Sequence, residues 1–256
     1  MGMPIAVFGF LTFPNLPETT TTQYLSAQEK KLALDRLPPK KVDGHNIEIR
    51  SLMRRVYMSP KIYILVGFSV LCGMLEAFAF QGMFLLWMKY NKSRFSQSQI
   101  NTYPLGIQAV AIVSQICAGI IIDRTGHRLP MVIFAGAMQL VTASLLLVRN
   151  LPDAGIFTAH YLCGTSFIVN PLMYGWASTI LQRSGDDAAR SVILYSMAGG
   201  GLLLYTFWGI ILYPATDAPY WKKGAATMCV VVFAFIGASF VVRWVSRSHR
   251  FGGMDR

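Results

Sequence analysis

The chain has 256 residues, 54% of them hydrophobic and only 14% charged, with a mean hydropathy of +0.44 and a formal net charge of +11. Soluble domains carry nearer a quarter charged residues, so the long charge-free stretches exclude one or two water-soluble domains. The Lys and Arg surplus lies in short connections between apolar runs, where it orients helices in a bilayer and does not suggest a nucleic-acid partner. In chain order, Met3 to Phe13 is apolar, too short to span, and preceded by no basic residue. Residues 1–13 therefore read as the remnant of a preceding transmembrane helix. Residues 14–60 are polar and read as a cytoplasmic loop with short amphipathic helices. Within it, Ser26 and Glu29 form a capping box that opens a helix over 27–37, ended by Pro38 and Pro39. A second basic, amphipathic piece covers His45 to Met58, with Ile49, Leu52, Met53 and Val56 on its apolar side.

Residues 61–245 hold six apolar runs of the length a bilayer demands: 62–88, 104–122, 130–148, 154–181, 191–213 and 224–245. Residues 246–256 form a tail. The fold class is an all-α membrane protein, a bundle of six transmembrane helices. Of the 23 Lys and Arg, 17 fall on one side of these spans and 6 on the other. The richer side is cytoplasmic by the positive-inside rule, so the segments before and after the bundle face the cytosol. Cys72, Cys117, Cys163 and Cys229 each stand alone in an apolar run, which makes them packing residues with no zinc site and no disulfide framework.

Several residues inside the spans are candidates for chemistry. Glu76 lies near the middle of the first, where a carboxylate costs ~2.5–3.5 kcal/mol unless paired, hydrated or protonated. Ser69, Gly73, Glu76, Phe80, Met83 and Trp87 share one face at three- and four-residue spacing, as a pore-lining stripe does. Glu76 and Phe80 are thus candidates for a substrate or proton pathway, against the alternative that Glu76 makes a structural hydrogen bond between helices. His160 in the fourth span is a candidate proton relay or a packing histidine. Asn170 precedes Pro171, which removes a mid-span hydrogen bond, so that the freed carbonyl and the Asn170 amide offer polar groups to a cavity or simply mark a kink. Gln108 and Gln115, two turns apart, pair with Glu76 or a substrate, or join helices. Gly199, Gly200 and Gly201 allow close approach or bending of the fifth span, and Pro171 adds flexing in the fourth. The third and sixth spans, nearly free of polar groups, are expected to face lipid. No catalytic or metal-ligating constellation and no cofactor motif is present, so the reading is of a protein that is not an enzyme and needs no cofactor.

Between the second and third runs stands Gly119-Ile-Ile-Ile-Asp123-Arg124-Thr-Gly126-His127-Arg128. A tight turn of this kind uses Gly126 for backbone freedom and the arginines as headgroup anchors. The run resembles the loop motif of the major facilitator superfamily, Gly-x-x-x-Asp-Arg/Lys-x-Gly-Arg-Arg/Lys, through Gly119, Asp123, Arg124, Gly126 and Arg128; His127 stands where an arginine is usual. Asn101-Thr-Tyr-Pro-Leu-Gly106, the Phe-Pro-Asn-Leu-Pro-Glu-Thr-Thr run from Phe13, and the segment from Leu212 to Trp221 are similar to the fungal anion:cation symporter family, in particular its allantoate/pantothenate permease-like members. The resemblance implies the C-terminal half of a twelve-span transporter, with the motif loop in gating and the third and sixth spans peripheral. It further implies proton-coupled movement of a small organic anion or vitamin by alternating access, in the plasma membrane, with protons and a missing N-terminal six-helix half as partners. The alternative is a truncated, transport-inactive membrane protein or an assembly partner.

Overall fold

In the computed structural model of the chain, the described residues are 2–13, 20, 24–35, 48–80, 82–148, 150–182 and 186–247. They fall into two units, Met1–Gly44 and His45–Arg256. In the first, the apolar N-terminal run forms helix α1 (Gly2–Thr12), whose 11 residues reach about 16 Å and so cross only half of a ~30 Å hydrocarbon core. Helix α2 (Ala27–Asp35) opens with the expected capping box. The Glu29 N–H donates to Ser26 Oγ at 3.3 Å, and the Ser26 N–H donates to the Glu29 carboxylate at 2.8 Å. The Ser26 N–H first and the Ser26 hydroxyl second, which also donates to the carboxylate at 2.8 Å, hold the exposed Glu29 carboxyl below its ordinary value. Pro38 and Pro39 lie outside the described residues.

The second unit is helical, with no strand among its described residues. Amphipathic α3 (Ile49–Met58) buries Val56 and is bent by 71° against α4 (Pro60–Leu75). The bend falls at Ser59, which the following proline holds in an extended conformation, while Pro60 supplies a helix-ready first residue with no N–H to satisfy. The first apolar run then continues in pieces, α5 (Ala77–Phe80) and α6 (Met83–Tyr90), instead of as one helix. At the first break the Glu76 N–H is shared between Cys72 O at 3.3 Å and Gly73 O at 3.2 Å; at the second Gly82 takes a left-handed φ of 63°. After α7 (Gln97–Thr102), capped by Ser96 and Gln99, α8 (Leu105–Thr125) ends on Gly126 at φ 66°. There follow α9 (Leu129–Leu147), α10 (Asp153–Leu162), a 3₁₀ segment (Cys163–Ile168), α11 (Val169–Gln182), α12 (Asp187–Leu212) and α13 (Lys222–Arg247).

Among the described residues four helices are each long and apolar enough to cross a membrane: the stretch Gln97–Thr125 (α7 running into α8), α9, α12 and α13; there are five if the bent pair α3 and α4 counts as one span. The other two runs, 62–88 and 154–181, are helical with interruptions. The core includes Phe68 of α4, stacked on Phe235 of α13 at 5.6 Å and set edge-on to Trp176 of α11 at 6.3 Å. The outside is apolar along whole helices: Ile112, Val113, Ile116 and Ile120 on α8, Leu203, Phe207, Ile210 and Ile211 on α12, Val230 and Phe233 on α13. Such a surface belongs in lipid, and the molecule is a multi-pass membrane helical bundle.

The packing refines one expectation and corrects another. The third and sixth runs, α9 and α13, are the more buried pair, 39% of their apolar windows against 17% for α8 and α12. They pack against each other through an inner side where Gln139 and Thr142 donate to carbonyls of the fourth run, while Ser144, Ile133 and Phe134 of α9 and Val230 and Phe233 of α13 lie on the exposed side that is left to lipid. Of the cysteines, Cys72 and Cys163 are buried, Cys229 is half-buried, and Cys117 is exposed on the apolar face of α8; all four are free thiols.

One charge network fixes the cytoplasm-assigned end of the bundle. Buried Asp186 accepts the Ala189 N–H at 3.0 Å as N-cap of α12 and pairs with Arg55 of α3 at 2.9 Å. Asp186→Ala is expected to lose about 1 kcal/mol from the missing cap, while Asp186→Asn keeps most of the cap. Thermal unfolding in detergent checks this; an Ala variant as stable as the wild type sinks it.

Candidate functional site

Glu76 lies at the break between α4 and α5. Its carboxylate is 1% exposed and accepts two hydrogen bonds on the same oxygen. Tyr205 OH of α12 donates to Glu76 Oε2 at 2.8 Å, and Asn170 Nδ2 of α11 donates to it at 3.0 Å. Glu76 Oε1 is buried without a hydrogen-bond partner, and no described Lys, Arg or His pairs with the group. Three helices thus converge on one uncompensated carboxyl through neutral donors.

The carboxyl borders a cavity of about 540 Å³ lined by Ser69, Gly73, Asn170, Tyr174, Gly201 and Tyr205, with Met173 and Met197 adding thioether surface. The cavity exists because α4 and α12 touch through small residues. A Cβ built on Gly73 would lie 3.7 Å from both Cα and O of Gly201. One turn away, Ser69 Oγ donates to Met197 O at 2.7 Å across the same contact. Close backbone approach with a hydroxyl joining two helices is how spans associate in lipid, where apolar packing alone gives no preference for helix over acyl chain.

Of the residues singled out by sequence, the structure brings Glu76 and Asn170 together. Phe80 ends α5, and its side chain lies outside the described residues. The remainder of the expected stripe is split: Ser69, Gly73 and Glu76 line the cavity, but Met83 and Trp87 do not. The breaks at Glu76 and Gly82 reset the helical phase, so residues beyond them no longer share that face. Met83 and Trp87 instead border a separate space of about 50 Å³ together with Phe78, Trp221 and His160. His160 is buried there, its ring stacked on Phe84 at 4.8 Å, and it is not part of the Glu76 cavity lining. Gln108 is exposed on α8 and also lies outside that lining.

Gln115 has a different task from pairing with Glu76. Pro171 has no N–H to give the carbonyl four residues back, Phe167 O, and Gln115 Nε2 donates to that carbonyl at 3.2 Å. The carbonyl freed by the proline therefore meets α8, and of the two expected polar groups only the Asn170 amide reaches the cavity. Gly200 and Gly201 serve close approach, since a Cβ on Gly200 would come within 3.0 Å of Val66; Gly199 has open space, and α12 runs unbroken through all three. In the motif loop, Gly119, Asp123 and Arg124 are exposed, Gly126 caps α8 by donating to Ile122 O at 2.8 Å, and Arg128 Nη2 donates to Thr179 Oγ1 of α11 at 3.1 Å.

Tyr205 was not singled out by sequence reasoning. Its signal is the i, i+4, i+8 series Met197, Gly201, Tyr205 on α12, which projects one polar group beside a glycine that lets another helix close in.

The sequence is similar to that of curated transporters. A pantothenate transporter of Schizosaccharomyces pombe is 32% identical over 247 residues, 95% of this chain and 47% of that protein. A pantothenate transporter of Saccharomyces cerevisiae is 28% identical over 96% of this chain and 48% of its own length, and a vitamin H transporter of the same yeast is 22% identical over 94% and 41%. The chain spans about half the length of the curated relatives it matches. No family model and no solved structure matches it.

Because a Cβ at Gly73 would make ordinary contact with Gly201, Gly73→Ala should leave stability within about 0.5 kcal/mol, whereas Gly73→Leu should cost about 1–3 kcal/mol by forcing α4 from α12. Melting of both variants in detergent decides; equal melting points would refute the close contact.

Proposed function

We propose that this chain, a homologue of fungal major facilitator transporters for pantothenate and vitamins, forms the C-terminal six-span bundle of a carrier that moves a small organic anion together with a proton by alternating access. The single observation that carries the reading is Glu76, bound by Tyr205 and Asn170 on the wall of a cavity between α4, α11 and α12. Four spans are unbroken helices, and the first and fourth are interrupted at 76–82 and 163–168. Interrupted helices whose breaks bring polar groups to a midplane cavity are what a substrate and coupling-ion site requires. The whole carrier would be completed by an N-terminal bundle seated against the more exposed helices, α8 and α12. The ends of the bundle would face the cytosol, with the plasma membrane as location. The bond from Arg128 to Thr179 would hold the motif loop on α11 in this conformation, giving that loop its part in gating.

Proton coupling follows from electrostatics on this reading. A pantothenate-like carboxylate entering the cavity meets Glu76 and finds no Lys or Arg on this wall. Two like unit charges ~4 Å apart repel by about 4 kcal/mol at an effective dielectric of ~20, about a thousandfold in affinity. Protonating Glu76 removes the repulsion, so the anion binds better to the protonated site. By linkage the bound anion raises proton affinity by the same factor. Tyr205 and Asn170 keep Oε2 engaged, which leaves Oε1 to carry the proton.

In cells expressing the complete transporter, uptake of labelled pantothenate should rise as the medium is acidified, and Glu76→Gln should abolish that pH response, leaving a flat profile. A Glu76→Gln profile that still tracks pH removes Glu76 from coupling. Absence of uptake for pantothenate and related carboxylates by the wild type removes the transport reading itself.

A further inference from the structure

A second concave site lies away from Glu76, where the motif loop meets the end of the last helix. Gly126, His127 and Arg128 face Arg243 and Arg247 of α13 across a cleft of about 120 Å³, with buried Trp176 as its inner wall. Three guanidinium groups and an imidazole, from segments more than a hundred residues apart, border one small space. No acidic residue lines the cleft, and among the described residues none of the three arginines pairs with a carboxylate. Helix α9 also begins at Leu129, on the cleft wall, and points the positive end of its dipole there. One of these guanidinium groups, that of Arg128, is also tied to α11 by its bond to Thr179.

Placing cations at the C-terminus of α13 by itself requires only that they oppose that helix's dipole. That accounts for Arg243 and Arg247, but not for a loop from another part of the chain bringing Arg128 and His127 to face them. Mutual repulsion across such a cleft is relieved by an anion with several oxygens, and the planar fork of arginine matches phosphate in two-point contacts. We propose that this cleft binds the phosphate-bearing headgroup of an anionic membrane lipid. The surroundings favour a lipid over free phosphate. Further along the same two mutually packed helices, α13 exposes Phe240, Val241 and Trp244 and α9 exposes Ile133 and Phe134, an apolar wall for acyl chains below the headgroup.

The test is native mass spectrometry of the full chain in detergent with dioleoyl phosphatidic acid, with phosphatidylcholine as the uncharged comparison. Phosphatidic acid should stay bound and phosphatidylcholine should not. Arg243→Gln and Arg247→Gln should each weaken phosphatidic acid binding about fivefold. Lys222→Gln and Lys223→Gln, at the other end of α13, should leave it unchanged. Arg247→Gln alters only an exposed last-turn side chain and should fold even where a double variant does not. Binding unaffected by both arginine variants, or weakened equally by the lysine variants, overturns the proposal. So does inorganic phosphate displacing phosphatidic acid at equal concentration, which would make the cleft a site for the free anion.

Discussion

The hydrogen bonds that Tyr205 and Asn170 give to Glu76 are the contact on which the interior of the bundle depends. In hydrocarbon, a helix can be interrupted only where protein groups replace the bonds it gives up. At Glu76, α12 and α11 supply donors to the carboxyl itself, whereas at Cys163–Ile168 α8 and α9 supply donors to backbone carbonyls. There Gln139 Nε2 donates to Cys163 O at 3.1 Å, Thr142 Oγ1 to Ala159 O at 3.3 Å and Gln115 Nε2 to Phe167 O at 3.2 Å. Gln139 and Gln115 bring donors to carbonyls of the 3₁₀ segment, and Thr142 adds a second donor to Ala159 O, which also accepts the Cys163 N–H. The scattered Gln and Thr residues of the second and third spans are therefore the counterpart of the broken fourth span.

This division explains which parts of the molecule were legible in the sequence. Apolar runs of bilayer length, the Ser26–Glu29 capping box and the Gly126 turn follow from local rules that involve few residues. Glu76 and Asn170 were legible because a polar group in hydrocarbon stands out whatever surrounds it. The stripe continuing to Met83 and Trp87 was misread because it assumed an unbroken helical phase, which the shared Glu76 N–H and the left-handed Gly82 interrupt. Tyr205 escaped notice for the opposite reason: a tyrosine in an apolar helix is ordinary, and only the approach of α4 through Gly73 gives it a carboxylate to meet. The burial of α9 and α13 was hidden as well, since an almost entirely apolar helix looks the same whether it packs on lipid or on another apolar helix.

On the proposed transport reading, the same contacts tie protonation to shape. Glu76 stands at the junction of α4 and α5, Tyr205 on α12 and Asn170 on α11, so moving any of these helices against the others changes what Oε2 accepts. The α4–α12 contact through Gly73, Gly201 and Ser69 is a surface of small groups with one hydroxyl bond, which can slide without unlocking interdigitated side chains. A proton on the carboxyl weakens it as an acceptor for Tyr205 and Asn170 and lowers the cost of separating them. Protonation would then favour both anion binding and the rearrangement that carries the anion across, as symport demands of one group. A carboxyl balanced by a lysine or arginine would, on protonation, release that cation to pair with the incoming anion. Glu76 has only neutral partners, so on this reading its own proton is the whole of the charge change that admits the anion.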